Sequence, residues 1–265
     1  MIRTLFLRGL RQHAALLGAV SFGLLLFEWA IVWVAARIDM GPGLRQLLGN
    51  LLPPSVVETI FGQFGFASFG GTVSFGYQHP LALIAGIAMV VVVATLPAHE
   101  REQSLLDLIL SRPVPRARYL TANALLVLVT ALLTPLGLLA GGALGLAVVE
   151  APVRVTWTAF LPSAGALALL LSVVGSYALL FATGARRRGV AIAQAVGVTL
   201  LFYWLDFMGD YWDLLETARV LSPFHFFDPA LAANQGMPFL HAGVLGGIMV
   251  VATLGAYLIF RRQDF

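Results

Sequence analysis

Six stretches of this sequence, near 14–36, 80–98, 119–149, 156–183, 189–208 and 241–260, are each apolar over about 20 residues or more, the length a helix needs to cross a hydrocarbon core. In lipid the backbone must satisfy its own polar groups, so runs of this length fold as helices. With 59% hydrophobic and only 11% charged residues, the 265-residue chain lies outside the range of soluble domains. The expected fold class is an all-α polytopic membrane protein, one transmembrane domain over 1–265. The third and fourth runs exceed the required length, which predicts tilt, extension beyond the bilayer or breaks at Pro135 and Pro162.

Before the first run, Ile2, Leu5, Phe6 and Leu10 fall on one side of a helical wheel and Arg3, Arg8, Arg11 and Gln12 on the other. That pattern predicts an interfacial helix over 1–13 whose arginines lie near anionic headgroups. An uncleaved helix is expected over the competing reading, a signal peptide, because the apolar run that follows is too long and Glu28 interrupts it.

All sixteen basic residues are arginine. Without lysine the chain has no Walker A phosphate loop, Schiff base or lysine general base. With no cysteine it has neither a disulfide framework nor a thiol nucleophile. The pI of 9.7 does not point to nucleic acid, because the arginines are scattered among loops. They report orientation instead. With the N-terminus inside, only Arg37, Arg45, Arg154 and Arg219 fall outside, a split of twelve against four. Both termini and the segment between the second and third runs are therefore expected to be cytoplasmic.

That segment, 100–116, is a charged island between two apolar runs. Leu105, Leu106, Leu108, Ile109 and Leu110 share one broad side at helical spacing, with Gln103, Ser104, Asp107 and Ser111 opposite. Glu100 and Glu102 suit the first turn of a helix over 100–112, and Pro113 and Pro115 forbid its continuation. A zinc-protease reading of His99-Glu100 fails, since Gln103 stands where a second histidine belongs. No serine has the setting of a hydrolase nucleophile.

Glu100 and Glu102, then Leu108 to Ser111, Pro113, Val114 and Arg116, resemble the cytoplasmic loop of ABC transporter permeases of the type-2, exporter-like class. In place of the Gly-Thr pair common after the acidic residues, this chain has Gln103 and Ser104. The resemblance implies a coupling helix docking on a separate ATPase subunit, with Glu100, Glu102, Leu106, Asp107, Arg112 and Arg116 as coupling residues. It implies two permease copies, as homodimer or heterodimer, in the plasma (inner) membrane, with ATP bound by the partner and no cofactor in this chain. Leu106→Asp or Glu102→Arg would then uncouple ATP hydrolysis from transport. The ending Phe260-Arg-Arg-Gln-Asp-Phe265 and the aromatic stretch between the fifth and sixth runs fit the same family, whose members carry short re-entrant or interfacial helices there.

Several features admit two readings. Glu28, deep in the first run, costs at least a few kcal/mol if ionised in the bilayer, and either lines a translocation path or makes a structural hydrogen bond. Asp206, Asp210, Asp213 and Glu216 would share one helix face, as a hard-cation site or a solvated surface. Arg186, Arg187 and Arg188 fix topology or meet an acidic partner. In the outer loop, 47–60 suits a short interfacial helix and 61–76 is rich in glycine and phenylalanine, as a wall of the exit path or a loop resting on headgroups. The glycines at 137, 141 and 145 allow close helix packing within or between protomers. The rival to the transporter subunit is a stand-alone secondary transporter or integral membrane enzyme, although no internal repeat is evident.

Overall fold

The computed structural model describes residues 2–37, 50, 51, 53, 69–111, 115–150, 155–209 and 211–263, apart from the side chains of Asp107 and Leu110. Among these residues every regular element is helical, and six helical segments are long and apolar enough to cross a membrane. The chain is a multi-pass membrane protein.

Span 1 is helix α1, Ile2–Arg37. The interfacial helix expected over 1–13 is its first turns and not a separate element. No proline interrupts the run, and Gly9 is pressed so close to span 3 that a Cβ there would lie 2.6 Å from Leu126. The expected outer helix over 47–60 falls almost wholly outside the described residues, as does 61–68. From Phe69 the glycine- and phenylalanine-rich stretch is helix α2, Phe69–Gln78, leading into α3, Pro80–Ala94. Span 2 therefore starts about one helix earlier than hydropathy suggests. At the junction His79 Nδ1 accepts from Leu81 N at 3.1 Å and Pro80 occupies the first turn, where a missing N–H costs nothing.

Two short helices, α4 (Leu96–Glu102) and α5 (Leu105–Leu110), follow span 2. Span 3 is α6, Arg116–Val148, which runs through Pro135 without a break. Span 4 is α7, Leu161–Gly184, after a 3₁₀ turn at Trp157–Phe160. Pro162 starts it instead of interrupting it. Span 5 is α8, Arg188–Gly209. The short helices α9 (Asp213–Glu216) and α10 (Pro229–Gln235), with 3₁₀ turns at 218–221 and 223–226, lead to span 6, α11, Phe239–Arg262.

Span 4 is the hub, with Leu167, Leu170, Leu171, Val173 and Ala178 fully buried. Span 1 packs chiefly on span 3. There the glycine repeat decides the geometry: a Cβ on Gly137 would come 2.7 Å from the Ser21 carbonyl oxygen, one on Gly141 would overlap the Leu25 carbonyl, and one on Gly145 would strike Val32. The repeat thus serves packing inside the protomer. Gly243, Gly246 and Gly247 of span 6 meet nothing within 4 Å among the described residues.

A candidate coupling site at the arginine-rich end

Span 2 breaks at Thr95. Pro97 cannot donate to a carbonyl one turn back, and the Thr95 hydroxyl donates to Val91 O (2.9 Å) and Val92 O (3.1 Å). Arg188, at the start of span 5, adds two bonds at the break: its Nη2 donates to Val92 O at 3.0 Å and its Nε to Thr95 Oγ1 at 3.4 Å. Helix α4 then continues to Glu102, so Glu100 and Glu102 close one helix instead of opening the next.

The expected helix over 100–112 is accordingly two helices. Gln103 ends α4, and Ser104 adopts φ 54°, a left-handed conformation that a side chain disfavours. The reversal falls on the two residues at which the sequence departs from the Gly-Thr pattern.

Around this turn the acidic residues face inward or cap a neighbour. Glu100 is 3% exposed. Its Oε1 lies 2.9 Å from Arg8 Nη2, and its Oε2 accepts from Tyr119 Oη at 2.6 Å, joining α4 to spans 1 and 3. Tyr119 stacks in turn on Phe260 near the end of span 6. Arg101 donates to Ala185 O at 2.8 Å and Thr183 O at 3.1 Å, and pairs with the Gln263 side chain. Glu102 is exposed, yet its Oε2 accepts from Arg188 N at 3.0 Å, placing a carboxylate at the N-terminus of span 5. Arg116 donates to Arg261 O and Gln263 O, at 3.2 and 2.6 Å, and so ties span 3 to the end of span 6.

Helix α5 divides its leucines. Leu106 is fully buried against the protein's own core, whereas Leu105 and Leu108 are 39% and 66% exposed. The structure thus brings Glu100, Glu102, Leu106 and Arg116 to one end but turns Glu100 and Leu106 away from any docking partner. Arg112 and the Asp107 side chain lie outside the described residues. Arg8, Arg101, Arg188 and Gln263 are not among the coupling residues expected from sequence. Three adjacent arginines give no sign which one turns inward.

Glu28 occupies a different place. It is 0% exposed, and among the described residues neither carboxylate oxygen has a hydrogen-bond partner. Its side chain is wedged between span 3 and α2: its Cβ and Cγ lie against Gly141 and Gly142, and a Cβ on Gly76 would overlap its carboxylate. A structural hydrogen bond, one of the two expected readings, is not formed with any described residue.

At the opposite end the described acids do not share one helix face. Span 5 stops at Gly209, and the chain doubles back so tightly that a Cβ there would meet the Arg219 side chain at 2.9 Å. Asp206 stays on span 5 and faces Arg219 at 3.3 Å and His225 at 3.6 Å, while Asp213 and Glu216 belong to α9. Asp210 lies outside the described residues. Between spans 5 and 6 the short helices are closely tied to the bundle: Ser222 Oγ donates to Phe202 O at 2.8 Å, Asp228 caps α10 through Leu231 N, and Ser163 of span 4 donates to Pro229 O at 2.7 Å.

No family model matches the chain, and no curated protein matches it.

Proposed function

We propose that this chain is the membrane-spanning subunit of an ABC transporter of the exporter-like class. It works as two permease copies with two separate ATPase subunits, in the plasma membrane with both termini cytoplasmic. The observation that carries the reading is the division of labour at 96–111. Helix α4 is hydrogen-bonded or ion-paired to spans 1, 3 and 5 and to the segments after spans 4 and 6, while the next helix turns Leu105 and Leu108 outward. A partner gripping α5 pushes on the whole bundle through α4. ATP binding and hydrolysis in the partner supply the motion, and this chain supplies the lever and the path.

The reading is tested by purifying the full chain from its native membranes under mild detergent. An ATPase subunit is expected to co-purify in stoichiometric amount, with a turnover that changes when the chain is removed. A chain that transports alone, with no ATPase bound, overturns the reading. The rival draws on one observation, a Glu28 carboxylate inside span 1 with no hydrogen-bond partner among the described residues, which suits a proton- or cation-coupled secondary transporter.

A further inference from the structure

Where spans 4, 5 and 6 meet at the arginine-rich end, a cavity of about 740 Å³ opens between Leu180 and Phe181 of span 4, Val190 of span 5 and Ile259 of span 6. Arg186 and Arg187 line the same cavity, and both are exposed. The neighbouring Arg101, Arg116 and Arg188 spend their guanidinium groups on backbone carbonyls within the bundle. Arg186 and Arg187 make no side-chain hydrogen bond or ion pair among the described residues.

The walls and the charges sit at different depths. Leu180 stands about one helical turn inside the end of span 4 at Gly184, and Ile259 about one turn inside the end of span 6 at Arg262. The apolar part therefore lies on the hydrocarbon side of the arginine pair. A soluble anion would take the arginines and gain nothing from Leu180, Phe181 or Ile259. An acidic protein surface would meet the arginines from outside and leave the apolar walls to lipid. One ligand class uses both: a phosphate diester between two guanidinium groups, with an acyl chain running from it along the apolar walls.

We propose that this cavity is a binding site for an anionic phospholipid, its phosphate held by Arg186 and Arg187 and one acyl chain laid between spans 4, 5 and 6. The site requires the chain to lie in a membrane and is independent of ATPase coupling.

The test uses the full chain, delipidated in a neutral detergent and titrated with phosphatidylglycerol or phosphatidylcholine. Bound lipid is read by native mass spectrometry and melting temperature by differential scanning fluorimetry. Phosphatidylglycerol is expected to be retained and to raise the melting temperature, and phosphatidylcholine to do neither. In R186Q/R187Q the apparent affinity for phosphatidylglycerol is expected to fall roughly 30-fold. In R3Q/R11Q, which removes two exposed arginines from span 1, it is expected to hold. Because all four side chains are exposed, both variants should melt like the parent when no lipid is present. Inorganic phosphate, the headgroup chemistry without chains, is expected to leave the melting temperature unchanged. An equal shift with inorganic phosphate assigns the arginines to a soluble anion and overturns the proposal. Equal loss in R3Q/R11Q makes the effect one of total charge and also overturns it. Undiminished lipid affinity in R186Q/R187Q does the same and leaves the pair to a partner's acidic surface.

Discussion

Tyr119 donates a 2.6 Å hydrogen bond to Glu100, and neither residue is more than 3% exposed. With Arg8 at 2.9 Å on the other oxygen, a carboxylate buried at the end of α4 is held from spans 1 and 3 at once. Removing the hydroxyl strands one oxygen in a place water does not reach. Tyr119→Phe is expected to cost about 1–3 kcal/mol of stability, the penalty of an unsatisfied buried polar group. Combining it with Glu100→Gln should cost less than the two single changes added, because both act on one interaction. Unfolding of the four proteins in detergent measures this, and full additivity would show that the contact carries no energy of its own.

The two leucines at the centre of α5 should behave oppositely. Leu106→Asp puts a carboxylate where no solvent reaches, at a cost of several kcal/mol, and is expected to prevent folding. Leu108→Asp, on a side chain 66% exposed, should stay within about 0.5 kcal/mol of the parent. With the proposed ATPase subunit present, Leu108→Asp is expected to abolish transport-coupled ATP turnover while the protein melts normally. Normal turnover in that variant would remove α5 as the docking surface. Leu106→Asp, a natural choice from the leucine pattern, cannot report on docking because it disturbs the fold first.

The turn at Ser104 holds a β-carbon at φ 54°. Glycine pays no such penalty, so Ser104→Gly is expected to raise stability by about 1 kcal/mol. Ser104→Val, whose branched side chain resists that backbone, should lower it by more. Parallel thermal melts separate the three proteins, and an unchanged glycine variant would mean the turn carries no strain.

Much of this architecture was legible in the residues. The six apolar runs correspond to the six long helices because length and hydropathy suffice to identify a span. The segment after span 2 was recognisable from its charges and leucines. Its internal break was not, because a serine in the left-handed region has no signature in hydrophobic periodicity. Burial was equally hidden: Glu100 and Glu102 look alike in sequence, yet one meets Tyr119 and Arg8 inside while the other caps span 5 at the surface. Asp206, Asp210, Asp213 and Glu216 read as one stripe only if the helix continues past Gly209. The spacing of the acids suggested that continuation, but span 5 ends at Gly209, with the Arg219 side chain packed against it.

Glu28 and Gly76 compete for the same space, which allows a prediction independent of any transport assay. Alanine at a helical glycine normally gains up to about 1 kcal/mol. At Gly76 the new methyl must displace the Glu28 carboxylate from a niche closed on its other side by Gly141 and Gly142. Overpacking of this kind costs about 1–3 kcal/mol, so Gly76→Ala is expected to be net destabilising. In a Glu28→Ala background the carboxylate is gone and Gly76→Ala should become neutral or favourable. That reversal of sign, read from melting temperatures, identifies the contact, and an identical cost in both backgrounds would refute it. Glu28→Gln fills the niche without a charge and is expected to fold as well as the parent. Transport by that variant then separates the two roles: a carboxylate in the translocation path loses transport while the fold is kept, whereas a packing residue keeps both.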